Sequence, residues 1–339
     1  MTPMLTRKKF SLVIGGYALP AAVALIAAPF FGSEHLCLGN IAGAVFSHVP
    51  HVDADIFFHQ RIPRVLLAFL AGGTLAAAGS SLQVVLRNPL AEPFILGIAG
   101  SGAVGAVIAI SVPGLSVHFG PFSSVEFLSL SGCILCTGAI YWLARSPMGL
   151  SMNTILLAGV TINILCGAAI LLVRYIVSPH LLVVMDRWVM GGLDVIGYGE
   201  LSTALFLLLP GLGLLFIHAH ALNQLAFGEE MAMGRGVNVG LVHKQVLLGT
   251  GLATAAVVSL AGPIGFVGLI IPHAVRRISG ADHRVVLPAS FLLGGSFLII
   301  CDLAARTVAA PTEMPVGIIT ALAGGPVFFR ILLKKRGDT

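Results

Sequence analysis

Charged residues are scarce in this sequence. Only 10% of its 339 residues are Asp, Glu, Lys or Arg, whereas 57% are hydrophobic and the mean hydropathy is +0.99. Soluble domains carry about 25% charged residues, and a chain of this size cannot hide so much apolar surface from water. The scarcity of charge therefore excludes an ordinary water-soluble fold and indicates that lipid is the solvent of this chain.

Motifs for covalent chemistry are also missing. The sequence has no phosphate-binding glycine loop, no catalytic triad and no metal-ligand cluster. Its five cysteines are scattered, and the closest pair, Cys133 and Cys136, lies in an apolar run where small side chains pack between helices. We therefore predict a chain that is not an enzyme and that holds no cofactor or metal of its own.

Carboxylates are rare in the interiors of the apolar runs. Ion-driven transporters need acidic side chains inside the membrane, but here these residues fall near the ends of the runs. They are Glu92, Glu126, Asp186, Asp194, Glu200, Asp282, Asp302 and Glu313. This pattern predicts that energy comes from another subunit, and an ion-coupled secondary transporter is the alternative.

Long apolar runs are what the sequence has instead. Their continuity excludes the alternation of a membrane β-barrel, and each suits a helix that crosses the hydrocarbon layer. The ten predicted spans are 10–31, 63–86, 94–112, 126–143, 151–173, 200–218, 243–261, 265–279, 286–302 and 315–333. We predict an all-α integral membrane protein with about ten transmembrane helices, in one polytopic domain over residues 1–339.

The distribution of basic residues predicts the orientation. With both termini in the cytoplasm, 14 of the 19 Lys and Arg residues lie inside and five lie outside, as the positive-inside rule requires. The net charge of +5 then needs no nucleic-acid partner. This orientation places the polar turn RNPLAEP (87–93) and the long loop 221–245 in the cytoplasm.

Three polar regions have both a functional and a structural interpretation. The loop 221–245 could dock on a motor subunit or be a plain linker. Outside arginines such as those in QRIPR could pair with carboxylates of a partner, or they could lie in the membrane interface. His48, His51 and His59, beside Asp53 and Asp55, could touch a metal or haem in transit, but we favour a solvated loop.

Eight stretches of the sequence carry a resemblance to a known family. They are RIPR, GGTLAAAGSSLQVVLRNPLAEPFILGIAGSGAVGA, LLAGV, DRWVMGGL, LAFGEEMAMGRGVNV, LAGPIGFVGLIIPHAVRRISGADHRVVLP, CDLAAR and MPVGIITALAGGPVFFRILL, in order from 61 to 333. In these stretches the sequence resembles the FecCD-type permeases. Those proteins are membrane subunits of bacterial ATP-binding cassette (ABC) importers for iron–siderophores, haem or vitamin B12.

The resemblance implies an assembly. It implies a type II ABC importer permease fold in the bacterial cytoplasmic (inner) membrane, surrounded by membrane lipid. A second permease subunit, which we expect to be an identical copy, would complete the pathway. Two ATP-binding subunits would hold ATP and Mg, and a periplasmic substrate-binding protein would deliver the chelate. Which chelate is carried stays open, although iron systems are the commonest in the family.

The resemblance also implies roles for individual residues. Docking of the binding protein is expected at Arg61, Arg64 and Arg306. Coupling to the ATPases is expected at Gly228, Glu229, Glu230, Gly234 and Gly236. Gate or pathway positions are expected at Asn88, Leu90, Ser151 and Asn153, with the fifth span lining the pathway.

Overall fold

The computed structural model describes residues 6–32, 34, 36–47, 51–112, 114–115, 118–119, 122–146 and 149–337. Helices dominate this part of the chain. The α-helices are α1 (Arg7–Ala27), α2 (Leu38–Ser47), α3 (Val52–Asp55), α4 (Ile62–Val85), α5 (Ile98–Ser111), α6 (Ser124–Ala144), α7 (Met152–Ile176), α8 (Pro179–Val189), α9 (Gly199–Ile217), α10 (Ala219–Leu225), α11 (Glu229–Gly234), α12 (Val239–Ala261), α13 (Val267–Ser279), α14 (His283–Thr307) and α15 (Val316–Gly337).

Short elements complete the chain. A 3-10 helix (Ala28–Phe30) ends the first long helix, and a π-helix (Ile56–Arg61) leads into α4. Strand β1 (His118–Phe119) pairs antiparallel with β2 (Phe122–Ser123), and β3 (Arg145–Ser146) pairs antiparallel with β4 (Gly149–Leu150). These two-residue hairpins only close turns between long helices.

The prediction of an all-α membrane fold with about ten transmembrane helices is confirmed. Each predicted span coincides with one helix, namely α1, α4, α5, α6, α7, α9, α12, α13, α14 and α15. In the described residues, seven helical segments are long and apolar enough to cross a membrane, and α5 and the Val316–Arg330 part of α15 are shorter apolar helices.

Two of the ten helices are too short to cross the hydrocarbon layer alone. Helix α5 has 14 residues and α13 has 13, which gives each a length of about 20 Å against a layer of about 30 Å. The third span was predicted from 94, but residues 94–97 form turns and the helix begins at Ile98, after the left-handed Gly97 (φ 76°). Non-helical backbone at such a depth must be shielded by protein.

Helix α4 lies at the centre of the packing. It contacts α14, α12, α13 and α9, and nearly all of its residues after Ala71 are buried. Glycines allow these contacts: a Cβ atom added to Gly72 would lie 2.3 Å from Gly294 O, and one added to Gly79 would lie 2.1 Å from Gly268 O. Small residues thus bring the backbones into direct contact, as is typical of membrane helices.

Helices α1 and α7 lie at the periphery. Only 11% of the apolar window in each is buried within the chain, and α7 exposes large side chains such as Leu157, Ile164 and Leu172. Such surfaces require lipid or another apolar protein surface.

The contacts define two ends of the helix bundle. The Arg64 end contains Arg64, Asp302 and Glu313, and the Arg87 end contains Arg87 and Glu229. The first long helix runs towards the Arg64 end, where Phe31 O accepts a hydrogen bond from Arg306. Helix α15 begins there as well, since Gly317 packs against Met190 O near Gly262 and Pro263. The N-terminal end of α1 and the C-terminal end of α15 therefore both lie towards the Arg87 end.

Candidate functional site

An arginine–carboxylate network occupies the Arg64 end. Arg64, in the first turn of α4, places Nε 3.0 Å from Asp302 Oδ1 and Nη1 2.7 Å from Glu313 Oε2. Arg306 places its Nε 3.0 Å from Asp302 Oδ2. Asp302 is completely buried, so one fully buried carboxylate bridges two guanidinium groups.

Two of the three candidate docking arginines hold the chain's own backbone. Arg61 is 6% exposed and donates hydrogen bonds to Pro29 O and Glu34 O. Arg306 is 2% exposed and donates to Phe31 O over 3.1 Å. Both arginines are therefore buried, and their partners come from distant parts of this chain. Their role in docking a binding protein stays a prediction.

A cavity of about 320 Å³ lies next to this network. The charged residues that line it are Glu34, Arg61, Arg64, Asp194, Arg306 and Glu313. Asp194 also pairs with Arg187 over 3.2 Å. Nη2 of Arg306 is buried without a hydrogen-bond partner in the described structure. Chemically, the arrangement could accept a carboxylate from outside if one of the internal carboxylates moved aside.

The predicted coupling loop folds into two short helices. Helix α10 is followed by Gly228 (φ 117°), then by α11, then by Gly236 (φ 82°) before α12. Both glycines adopt backbone conformations that residues with a side chain rarely reach, which explains why glycine separates these helices. Gly234 is the last residue of α11, and Glu229 and Glu230 lie in its first turn. The helix dipole stabilises negative charge at that position.

Polar contacts attach this loop to the rest of the Arg87 end. Asn223 Nδ2 in α10 donates to Asp282 Oδ1 over 2.7 Å, and Asn223 Oδ1 accepts from His283 N. The bonds from Arg284 and Asn223 lower the pKa of Asp282 to about 2. A second contact joins Arg87 Nη2 to Glu229 Oε1 over 3.1 Å. The loop is thus anchored both to the α13–α14 connection and to the RNPLAEP turn.

The gate candidates lie in two turns. Asn88 Oδ1 accepts from Leu90 N over 2.9 Å, which closes a local turn, and Leu90 is exposed. Ser151 caps α7 by accepting from Thr154 N, and Asn153 is exposed in the first turn of that helix. In the part of the chain that the structure describes, the two pairs make no hydrogen bond to each other, and their role as a gate stays a prediction.

Glu92 is a feature that the sequence analysis missed. The sequence places it near the end of a span, but the structure buries it to 6% exposure. The backbone N–H of Phe266, the left-handed residue before α13, donates a hydrogen bond to it. Burial outweighs this bond and raises the pKa of the Glu92 carboxyl to about 7. The two prolines of RNPLAEP were the available signal, since they end the helix and turn the chain back into the protein.

The remaining cysteine and histidine candidates have structural partners. Cys133 Sγ donates to Ile98 O over 3.3 Å, in keeping with a packing role. His59 pairs with Asp55 over 2.8 Å, and His51 caps the four-residue helix α3. His48 lies outside the described residues. Over the described ranges, no group of three potential ligands is arranged for a metal ion.

Most of this chain matches the model of one protein family. The model of the FecCD transport family matches residues 20–334. This chain belongs to the FecCD transport family. The predicted resemblance is therefore confirmed over nearly the whole sequence.

Other FecCD-type permeases align along most of their length. The chain is 39% identical to the hemin transport system permease protein HmuU of Yersinia pestis, covering 83% of this chain and 84% of HmuU. It is 38% identical to the cobalamin import system permease protein BtuC of Halobacterium salinarum, covering 96% and 82%. It is also 35% identical to an uncharacterized ABC transporter permease protein, YvrB of Bacillus subtilis, covering 98% and 96%.

A solved structure agrees with the fold. It is described as an inward-facing conformation of a metal-chelate type ABC transporter, and it matches with a TM-score of 0.81 at 27% identity over 96% of this chain and 99% of the other. The chain is thus a multi-pass membrane permease of a family that serves metal-chelate, haem and vitamin B12 import. Its relatives are transport subunits rather than enzymes.

Proposed function

We propose that this chain is the membrane subunit of an ATP-driven importer that moves a metal chelate into the cytoplasm. The observation that carries the proposal is the match to a metal-chelate type transporter along 96% of the chain. The substrate class follows from the names of the relatives, and we expect a ferric siderophore, haem or cobalamin. ATP and Mg would be held by two separate ATPase subunits.

The exposed surfaces support the proposed assembly. The exposed apolar side chains of α7 suit a helix that lines the pathway and faces a second permease subunit. We take that subunit to be an identical copy. At the Arg87 end, α11 and the turn before it expose Phe227, Met231 and Met233 beside Glu230, which gives a largely apolar surface on which an ATPase would dock. The concentration of basic residues there supports a cytoplasmic location for this end and for both termini, in a bacterial inner membrane.

The arginine network supports docking of a binding protein in a modified form. Because Arg64 and Arg306 already pair with internal carboxylates and Arg61 bonds to backbone oxygens, we expect a carboxylate of the binding protein to exchange with an internal one. Glu313 is suited to this exchange, since its side chain is 29% exposed whereas that of Asp302 is completely buried. The cavity beside these residues provides space for the incoming group.

Co-purification tests the assembly directly. The tagged chain is extracted from its native membrane in mild detergent, and the co-eluting proteins are identified by mass spectrometry. We expect an ATPase with a phosphate-binding loop in equal amount. The neighbouring binding protein is then tested against haem, cobalamin and ferric siderophores. A chain that supports uptake in its membrane but is always isolated alone would contradict the proposal.

Glu92 favours one alternative function. A buried carboxyl with a pKa of about 7 is what a proton-coupled secondary transporter would use. Membrane vesicles distinguish the two mechanisms. Uptake that requires ATP and persists when the proton gradient is collapsed supports the importer. Uptake that follows the proton gradient without ATP, and that E92Q abolishes, supports the secondary transporter.

A further inference from the structure

Arg87 adopts a backbone conformation that is unfavourable for its residue type. Its φ angle is 47°, and among the described residues only Phe266 shares a positive φ without being glycine. Glycine or asparagine would adopt this conformation more easily. Strained positions of this kind persist where the surrounding structure requires them. We therefore ask which contact of the Arg87 side chain accounts for an arginine at this position.

The Arg87 side chain reaches the coupling loop. Its Nη2 lies 3.1 Å from Oε1 of Glu229, the first residue of α11. The ion pair thus joins the turn after α4 to a helix that begins 142 residues later in the sequence. Glu230, the next residue, is exposed and makes no ion pair in the described structure.

In the sequence, Arg87 directly precedes the gate candidate Asn88, and both are bonded to the end of α4. Arg87 N donates to Val84 O over 3.1 Å, and Asn88 N donates to Gln83 O over 3.2 Å. Asn88 Oδ1 then accepts from Leu90 N. Gln83 is itself held by Gly268 O and by Arg276. A short series of contacts therefore leads from Arg87 to Asn88 and Leu90.

Apolar contacts reinforce the same route. Leu222 and Leu225 of α10 and Ala232 of α11 are buried in one cluster with Leu82 and Val85 of α4. These contacts join the loop to α4 but do not select a direction of movement. The ion pair adds a charged contact that ends on the turn itself.

We propose that Arg87 is a positioning residue that passes the movement of α11 to the gate turn through its ion pair with Glu229. The inference rests on the proposed function, because it assumes an ATPase that moves α10 and α11. It assigns Glu229 to the contact with the permease's own turn and leaves Glu230 as the glutamate without an ion pair in the described structure.

The test measures the turn directly. The full chain carries L90C for labelling and C37S to remove an exposed cysteine, and it is purified with its ATPase and placed in lipid nanodiscs. The rate of labelling by fluorescein maleimide is measured without nucleotide and with MgATP plus vanadate. The same chain without L90C gives the background from the other cysteines.

We expect nucleotide to change the labelling rate of the parent complex several-fold. R87Q and E229Q should each reduce this change roughly fivefold, in keeping with the strength of a partly exposed ion pair. The charge-swapped pair R87E with E229R should restore the response. R87E with E230R is the matched control, and it should not restore it.

A further variant separates the side chain from the backbone. R87N relieves the left-handed conformation but removes the guanidinium, so we expect it to lose the response as R87Q does. A parent-like response in R87N would overturn the inference. Equal rescue of R87E by E229R and by E230R would overturn it as well. Loss of the ATPase, or a parent complex whose labelling ignores nucleotide, would instead overturn the proposed function.

Discussion

Arg64 Nε lies 3.0 Å from Oδ1 of Asp302, whose side chain is completely buried. The two residues are separated by 238 positions in the sequence. Asp302 also lies 3.0 Å from Arg306. Removal of this carboxylate would leave two guanidinium groups close together with no buried counter-charge.

We therefore expect D302N to destabilise the protein strongly. Breaking a buried pair by removal of one partner costs about 3–5 kcal/mol. The thermal transition of the detergent-solubilised chain measures the effect. D194N is the matched control, because the side chain of Asp194 is 50% exposed, and we expect it to change the free energy of unfolding by less than about 1 kcal/mol. Equal stability of the two variants would contradict this account.

Charge reversal at Arg61 or Arg306 should act on folding before it acts on docking. Both side chains are buried against backbone carbonyls, so a glutamate there would face these oxygens without a donor. We expect a low yield of folded R61E and R306E in the membrane, as measured by fluorescence-detected size exclusion. Monodisperse variants with normal yield would show that these arginines are not structural.

E313Q should strengthen docking of the binding protein under the proposed exchange. Glu313 holds Arg64 over 2.7 Å from a partly exposed position, and the neutral glutamine would compete less with an incoming carboxylate. We expect the dissociation constant for the binding protein to fall by up to about tenfold, as measured by biolayer interferometry. Weaker docking of E313Q would argue that Glu313 itself contacts the partner.

Glu92 should make the stability of the protein depend on pH. Burial raises its pKa from 4.5 to about 7 in the folded state. The unfolded chain therefore ionises first, and stability falls as the pH rises from about 4.5 and levels off above about 7. The full difference is on the order of 3 kcal/mol.

The variant E92Q isolates this effect. It cannot ionise, so its stability should lack the Glu92 contribution between pH 4.5 and 7, and it should be more stable than the parent above pH 7. Thermal transitions at pH 5 and pH 8 make the comparison. Parallel pH profiles for E92Q and the parent would show that Glu92 does not titrate in this range.

G79A should disrupt the contact between α4 and α13. An added Cβ would lie 2.1 Å from Gly268 O, which the two backbones can relieve only by moving apart. We expect a loss of about 1–3 kcal/mol or more in the free energy of unfolding. G138A is the control, since nothing lies within 4 Å of its new Cβ, and it should be neutral or slightly stabilising.

The sequence predicts the helices well because their signal is local. Apolar runs, prolines and basic residues place all ten membrane helices within a few residues of their positions. The third span is the exception at its start: residues 94–97 are apolar enough to be counted as helix, but Pro93 and Gly97 hold them in turns. Hydropathy indicates whether a segment lies in an apolar environment, but it does not indicate which backbone conformation the segment adopts.

The buried polar contacts could not be predicted because they are not local. Nothing near Arg64 in the sequence indicates that Asp302 and Glu313 will neutralise it. Glu92 looks like an ordinary residue of a polar turn until the turn is placed against Phe266. The exposure of a charged residue depends on which distant segment packs beside it. A single sequence does not show which distant segments come into contact.

The separation between Arg64 and its partners also has a consequence during synthesis. Arg64 emerges from the ribosome long before Asp302, and Glu313 lies 249 positions after Arg64. Until those segments arrive, the described carboxylate partner of Arg64 that the nascent chain already contains is Asp194, which is half exposed and lies 3.7 Å from Arg64 Nη1. A polypeptide that stops before α14 therefore lacks the two closer counter-ions of Arg64, at 3.0 Å and 2.7 Å. The network thus closes only after Asp302, Arg306 and Glu313 have all been synthesised, so the α14 region completes the charge balance of α4 late in synthesis.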